Sequence, residues 1–211
     1  MAGKGAERTT YMKLVLVIIG DGRGEYLEQA VPAITRNVLH PIYARCMVDD
    51  SGDSDYAIHL DGMYPDFIID HGGRRGMAGA VQAGFKMALN YDPDYVLWIE
   101  EDMLLIRPLP ITSAAQVLDS NRQLAQMCFR REPWWGSPQE MVLGDQLLAI
   151  MGEATHTEIR DEYVIHDYLF SLNPCLIPRR ILKLGWPSGP LGVGNEAGMT
   201  TKLNSLGYRY G

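Results

Sequence analysis

The sequence predicts an α/β fold with a mixed, mainly parallel central sheet flanked by helices. Its first half alternates short apolar runs with segments of helical periodicity, and this alternation is typical of βαβ units. With 211 residues, of which 46% are apolar and 21% charged, the chain is long enough to bury one core without disulfides. No repeat or low-complexity stretch interrupts the pattern. We therefore expect an N-terminal tail at 1–12 and a single domain at 13–211.

The first half is predicted to hold four strands and two helices. The strands are expected at 13–19, 42–48, 67–69 and 95–99, and the helices at 25–37 and 77–90. In the 77–90 segment apolar and small residues recur at three- and four-residue spacing, which indicates a helix. Its alanines and glycines favour close packing on the sheet.

The second half is less regular. We expect a helix at 112–122, strands at 124–129, 163–165 and 169–177, and a loop rich in Trp, Pro and Gly at 130–138. A terminal helix is predicted at 196–206, because Gly207 follows it as the glycine that commonly closes a helix.

Composition restricts the classes of partner. The net charge is −7 and the lysines and arginines are scattered, so no stable nucleic-acid complex is expected. The longest apolar run, 14–19, is far shorter than the roughly 20 residues that span a bilayer. Cys46, Cys128 and Cys175 form no CxxC pair, which favours neither a disulfide framework nor a zinc site and fits a reducing, cytoplasmic compartment. A homodimer is one oligomeric state that the sequence leaves open.

Acidic residues follow the predicted strand at 95–99. Glu100, Glu101 and Asp102 come directly after it, and ligands of open α/β sheets bind at the carboxyl ends of strands. Clustered carboxylates repel one another without a cation, and their hard oxygens suit Mg²⁺ or Mn²⁺. The alternative is a strand end whose acids simply face water.

A second acidic segment, MVDDSGD at 47–53, begins at the end of the strand at 42–48 and continues beyond it. Here Asp49 or Asp50 can accept a hydrogen bond from a nucleobase N–H or from ribose hydroxyls. The alternative is turn chemistry, because Asp, Ser and Gly favour turns and helix N-caps.

The segment HGGRRG at 71–76 leads directly into the predicted 77–90 helix. Its glycines allow close backbone approach, the helix N-terminus offers N–H groups, and Arg74 and Arg75 offer forked donors. Together these features favour a diphosphate or nucleotide contact. A flexible loop with exposed arginines is the competing interpretation.

The order of these pieces resembles the inverting family-two glycosyltransferases with the GT-A fold. MVDDSGD at 47–53 matches the family's VVDDGSxD-like segment, and RGMAGAVQAG at 75–84 loosely matches its glycine-rich helix start. The acids at 100–102 stand before Pro108 as the family's DxD-type motif stands before a proline. NEAGMTTKLNSLGYR at 195–209 matches the late E-D-x-x-L/M helix that ends in G-Y/W-R. The resemblance covers roughly residues 13–210.

The resemblance implies transfer of a sugar from a nucleotide-diphospho-sugar, most simply a UDP- or GDP-sugar, to an acceptor hydroxyl with the help of Mn²⁺ or Mg²⁺. Residues 13–109 would bind the donor and 110–211 the acceptor. The implied roles are base and ribose contacts for Asp49 and Asp50, further donor contacts for Arg75, Gly76 and Glu101, metal binding by Asp102 with Glu100, and general-base catalysis by Glu196.

Acceptor contacts are expected from Trp134, Trp135, His166 and Asp167, because aromatic faces stack on sugars. Buried tryptophans and a structural histidine are the alternatives. The family's Glu-Asp pair is Asn195-Glu196 here, which raises the alternative of a non-catalytic protein that binds nucleotide-sugars or glycans.

The first loop, GDGRG at 20–24, suggests two other enzyme classes. A Rossmann dehydrogenase is disfavoured because the G-x-G-x-x-G spacing is not met. A sugar nucleotidyltransferase, which uses a glycine-rich first loop followed by an arginine such as Arg23, stays a runner-up because no lysine follows in the required pattern.

Overall fold

The computed structural model describes residues 11–129, 152–160, 163–187 and 195–211. Its strands are β1 Leu14–Gly20, β2 Ile42–Asp49, β3 Ile68–Asp70, β4 Tyr95–Glu100, β5 Met127–Cys128, β6 Thr157–Ile159, β7 Val164–His166 and β8 Cys175–Pro178. Among these, the central sheet has six strands in the order β3-β2-β1-β4-β8-β5, and a separate two-stranded sheet pairs β6 with β7. The helices are α1 Gly24–Asn37, α2 Ser54–Met63, α3 Gly76–Leu89, α4 Ile111–Ser120, α5 Arg179–Leu182 and α6 Glu196–Ser205.

Strand β1 lies at the centre of the parallel part of the sheet. It pairs in parallel with β2 on one side and with β4 on the other. Its residues from Leu14 to Ile18 are fully buried, because helices cover the sheet on both faces. A parallel strand in this position is therefore apolar throughout. The register places Gly20 beside Asp49 and Ile19 beside Glu100, so the carboxyl ends of β1, β2 and β4 are level at one edge.

The two faces of the sheet carry separate apolar cores, since successive residues of a strand point to opposite faces. Leu14, Leu16 and Ile18 of β1 belong to the core that includes α1 and α4. Val15 and Val17 belong to the core that includes α3, α5 and α6. Strand β8 runs antiparallel to both β4 and β5, so the sheet is mixed.

Most predicted elements of the first half are confirmed within one residue at each end. The terminal helix is also confirmed as α6, and Gly207 beyond it has a φ of +79°, the left-handed conformation of a C-terminal glycine. The mixed, mainly parallel sheet flanked by helices is confirmed as well. No described helix is long and apolar enough to cross a membrane.

Several element predictions were incomplete. Helices α2 and α5 and strand β6 were not predicted, and the strands predicted at 124–129 and 169–177 are shorter, since β5 has two residues and β8 has four. Phe170 and Leu172 are buried but lie outside any strand: Phe170 N–H donates to the Thr200 hydroxyl and Leu172 N–H to the Glu196 carboxylate. Side chains thus replace strand pairing for this backbone. The loop predicted at 130–138 lies outside the described residues.

Candidate active site

The carboxyl ends of β1, β2 and β4 bring the two predicted acidic segments together. Asp50 N–H donates to the carbonyl of Gly20 over 2.9 Å, and Glu101 N–H donates to the carbonyl of Ile19 over 2.9 Å. Both acidic segments are therefore fastened to the end of the same central strand. The edge has the position at which open α/β sheets bind ligands.

Asp49 is 3% exposed and is held by two hydrogen bonds. Its Oδ1 accepts from Ser51 N–H over 3.0 Å, and its Oδ2 lies 3.0 Å from His71 Nδ1. Burial alone would raise the pKa of Asp49, but the hydrogen bonds from Ser51 and His71 lower it below its ordinary value. Asp49 is therefore a buried, ionised carboxylate.

His71 lies between two carboxylates, because its Nε2 is 3.1 Å from Asp61 Oδ1 while Nδ1 faces Asp49. Partial burial works to lower the pKa of His71, but the hydrogen bonds to Asp49 and Asp61 raise it above its ordinary value. His71 belongs to the HGGRRG segment, but no role is predicted for it from the sequence. Its position after β3, the neighbour of β2, was the available signal.

Asp50 fixes the start of α3. It is 6% exposed, and its Oδ1 accepts from Arg75 N–H over 2.6 Å. The Arg75 guanidinium turns to Asp70, with 3.1 Å between NH1 and Oδ2, and Gly76 begins the helix with a φ of +71°. Arg74 is the exposed arginine of this loop and lies 3.4 Å from Asp21. The predicted nucleotide segment is thus built around Asp50.

Glu101 is buried, with 1% of its side chain exposed. Its Oε1 accepts from Asp21 N–H over 2.8 Å and from Arg23 Nε over 2.7 Å. A Cβ at Gly20 would stand 2.7 Å from Oε2, which has no hydrogen-bond partner among the described residues. Glu101 therefore anchors the β1–α1 loop, and a side chain at Gly20 would have to displace its carboxylate.

Asp102 is the more exposed neighbour, at 35% of its side chain, and its Oδ2 lies 3.2 Å from Arg23 NH1. No group of three His, Cys, Asp or Glu residues in the described part of the chain is arranged to hold a metal ion. A single accessible carboxylate nevertheless fits Mg²⁺ or Mn²⁺, which proteins commonly bind through one or two carboxylates plus substrate phosphates. Glu100 ends β4 next to this position and is half-buried.

Glu196 lies in the first turn of α6. Asn195 caps this helix, its Oδ1 accepting from Gly198 N–H over 3.0 Å, so a neutral residue performs the capping here. Glu196 Oε1 accepts from Leu172 N–H. Cys175, the first residue of β8, pairs antiparallel with Trp98 of β4, so the segment before β8 lies toward the carboxyl end of β4. That segment includes Leu172, so Glu196 is held on this side of the sheet.

The predicted acceptor residues divide into two groups. Trp134 and Trp135 lie outside the described residues. His166 is 6% exposed, and burial lowers its pKa to about 4 while its Nδ1 accepts from Tyr168 N–H. Asp167 accepts from the N–H groups of Thr155 and His156 over 3.0 and 3.2 Å. Both side chains are held by local contacts of the second half.

Comparison with solved structures shows that the chain has the GT-A fold, to which the mixed, mainly parallel sheet flanked by helices belongs. One of these structures is a mannosyltransferase, PcManGT from Pyrobaculum calidifontis, in complex with GDP-Man and Mn²⁺. It matches with a TM-score of 0.64 and 17% sequence identity, and the match covers 95% of this chain and 55% of PcManGT. Another is S. aureus TarS, residues 1–349, in complex with UDP. It matches with a TM-score of 0.57 and 15% sequence identity, and the match covers 91% of this chain and 55% of the TarS chain.

A further structure, of TarS in complex with UDP-GlcNAc, matches this chain with a TM-score of 0.55. The chain spans about half the length of these solved proteins. No protein-family model matches the sequence, and no curated protein matches it either. The likeness is therefore one of fold.

Proposed function

We propose that this chain transfers a sugar from a nucleotide-diphospho-sugar to an acceptor hydroxyl. The observation that carries the proposal is the set of three buried acids, Asp49, Asp50 and Glu101, at adjacent parallel strand ends of a GT-A fold. Buried carboxylates are costly unless hydrogen-bonded, so a fold keeps them where they organise a site. The GDP-Man bound by PcManGT and the UDP-GlcNAc bound by TarS support this class of donor.

In this proposal the acids of β2 receive the nucleoside. Asp49 holds Ser51 and His71, and each carboxylate oxygen retains a further lone pair that accepts from a base N–H or a ribose hydroxyl. Asp50 sets the backbone of Arg75 and Gly76 at the start of α3, where N–H groups favour a diphosphate.

The acids of β4 receive the metal. Asp102, with Glu100, would hold Mn²⁺ or Mg²⁺, which offsets the negative charge of the departing nucleoside diphosphate. The Mn²⁺ bound by PcManGT supports this part of the proposal. Glu101, being buried under Arg23, acts by positioning the loop that faces the donor.

Glu196 is the proposed general base. The acceptor oxygen attacks the anomeric carbon, the bond from that carbon to the diphosphate oxygen breaks with its electron pair, and the hydroxyl proton passes to the carboxylate. Attack from the face opposite the leaving group inverts the anomeric centre. Leu172 N–H holds Oε1, which fixes the carboxylate and leaves Oε2 to take the proton.

The test is nucleoside diphosphate release from UDP-, GDP-, TDP- and CDP-sugars by wild type and Glu196→Gln. Glutamine keeps an oxygen for Leu172 N–H, so folding and donor affinity should persist while turnover falls by about 100-fold or more. Asp55→Asn removes an exposed first-turn helix acid elsewhere and serves as the matched control.

Loss of a general base lowers the rate of turnover by about 100-fold or more. If the turnover of Glu196→Gln were within about twofold of wild type, Glu196 would be excluded as the base. A wild type that binds a nucleotide-sugar but neither hydrolyses it nor transfers its sugar to any acceptor would instead favour the non-catalytic binding protein.

A further inference from the structure

Arg23 lies between the ends of β1 and β4 on a loop that the sheet holds firmly. Gly22 has a φ of +89°, and a Cβ there would stand 3.0 Å from Ser51 Cβ, so the loop packs directly on the segment after β2. Asp21 N–H is bonded to Glu101 on the other side. The loop therefore spans all three strand ends and places Arg23 over the acids of β4.

The Arg23 guanidinium lies 5.3 Å from the centroid of the Tyr26 ring and forms two ion pairs, which differ in kind. The bond from Nε to Glu101 is 2.7 Å long and its acceptor is buried, whereas the contact from NH1 to Asp102 is 3.2 Å long and its acceptor is 35% exposed. Charge-assisted bonds that are short and shielded are strong, and exposed pairs contribute little. The Glu101 end is thus an anchor and the Asp102 end can be exchanged.

Arg23 also has donors to spare. A guanidinium has five N–H groups, and two of them serve these acids. No described residue accepts from NH2, and 44% of the side chain is exposed. The unused donors lie beside Asp102, the accessible acid of β4. A forked, permanently charged group of this kind is suited to phosphate oxygens.

We infer that Arg23 binds the diphosphate of the donor, and that its ion pair with Asp102 in the donor-free protein competes with the divalent ion for that carboxylate. The inference rests on the proposed function and goes beyond it. Arg23 keeps its Glu101 contact and turns its outer nitrogens from Asp102 to the phosphate. Asp102 is then released for the metal, so donor and metal bind in support of each other.

The experiment compares wild type, Arg23→Gln and Arg23→Lys in two assays. The first is calorimetric binding of UDP and uridine, and of GDP and guanosine, in EDTA. The second is Mn²⁺ binding without nucleotide, followed by the electron paramagnetic resonance of free Mn²⁺. Arg45→Gln is the matched control, because Arg45 also pairs with an exposed aspartate, Asp66, but lies within β2 and away from the loop. Arg23→Lys retains a charge beside buried Glu101 and guards against a folding defect.

We expect Arg23→Gln to lower nucleoside diphosphate affinity about tenfold or more, the scale of a lost charge-assisted bond. Nucleoside affinity should stay unchanged, and Arg23→Lys should lie between the two. Mn²⁺ affinity should rise about two- to fivefold in Arg23→Gln, because the competing cation is gone. Arg45→Gln should change neither.

If Arg23→Gln lowered the affinities for nucleoside and nucleoside diphosphate equally, Arg23 would only support the fold. If its Mn²⁺ affinity were unchanged, Arg23 would not compete with the metal for Asp102. Either result overturns the inference while the proposed function stands. A wild type that binds none of these nucleotides would overturn both.

Discussion

At the scale of the residue, the site depends on how buried carboxylates are compensated. Asp49 has Ser51 and His71, and Glu101 has Asp21 and Arg23. Each receives one backbone N–H and one side-chain donor. Without such donors a buried charge costs several kcal/mol, so His71 and Arg23 are required by the acids they serve.

The position of His71 predicts a pH dependence of stability. A neutral imidazole donates only one hydrogen bond, so the contacts with both Asp49 and Asp61 require the protonated ring. The folded-state pKa is raised, so the contribution is fully present below the unfolded value of about 6.5 and is lost as pH rises through the folded value.

Urea unfolding between about pH 6 and pH 9 therefore should show a fall in the free energy of unfolding, at no more than about 1.4 kcal/mol per pH unit for one proton. His71→Gln should lack this component. His59→Gln removes an exposed histidine of α2 and should keep it. Equal pH dependence in wild type and His71→Gln would show that the paired ring does not titrate in this range.

At the scale of the element, close packing of α3 on the sheet sets the position of the loop before it. Gly84 faces Trp98 of β4, and a Cβ at Gly84 would stand 2.8 Å from the indole Cη2 and 3.1 Å from Val17 Cγ1. Trp98 is fully buried and contacts the edge of Phe85, so it has little room to move. Glycine therefore allows α3 to approach the sheet at this point.

Gly84→Ala should destabilise the protein by about 1–3 kcal/mol from overpacking, partly offset by the better helix propensity of alanine. Gly62→Ala is the matched control, since Gly62 is also a helical glycine but a Cβ there meets nothing within 4 Å. It should be neutral or stabilising by up to about 1 kcal/mol. Chemical denaturation measures both, and equal stabilisation by the two substitutions would contradict the packing argument.

The elements that the sequence predicted well are those with a regular apolar pattern. Strands β1 and β4 are buried on both faces, and their continuous apolar runs mark them. Helix α2 was missed because its start, after the turn-like DSGD, reads as loop chemistry: Asp53 is in fact its N-cap, accepting from the N–H groups of Asp55 and Tyr56. The strand predicted at 169–177 was too long, because Phe170 and Leu172 are buried by tertiary packing and not by strand pairing.

At the scale of the whole molecule, the sequence predicted that the two acidic segments lie at one edge of the sheet, but it did not predict their contacts. The rule that ligands bind at carboxyl strand ends correctly predicted that the acids of β2 and β4 would meet. Which acid is buried and which is exposed could not be predicted, because Glu101 is turned inward by Arg23 and Asp21, residues about 80 positions away. The assigned roles of Asp102 and Glu196 stay proposals.

The central claim, that this edge of the sheet binds a nucleotide-sugar, is tested most directly by thermal unfolding with UDP-, GDP-, TDP- and CDP-sugars, with Mn²⁺ or EDTA, on wild type and Asp102→Ala. A ligand at about 100 times its Kd stabilises by about 2.7 kcal/mol, which is a clear rise in Tm. We predict that one nucleotide-sugar stabilises the wild type, more with Mn²⁺ than with EDTA, and that Asp102→Ala loses the Mn²⁺ increment alone. If no nucleotide-sugar raises the Tm of the wild type under either condition, the account of this site is wrong.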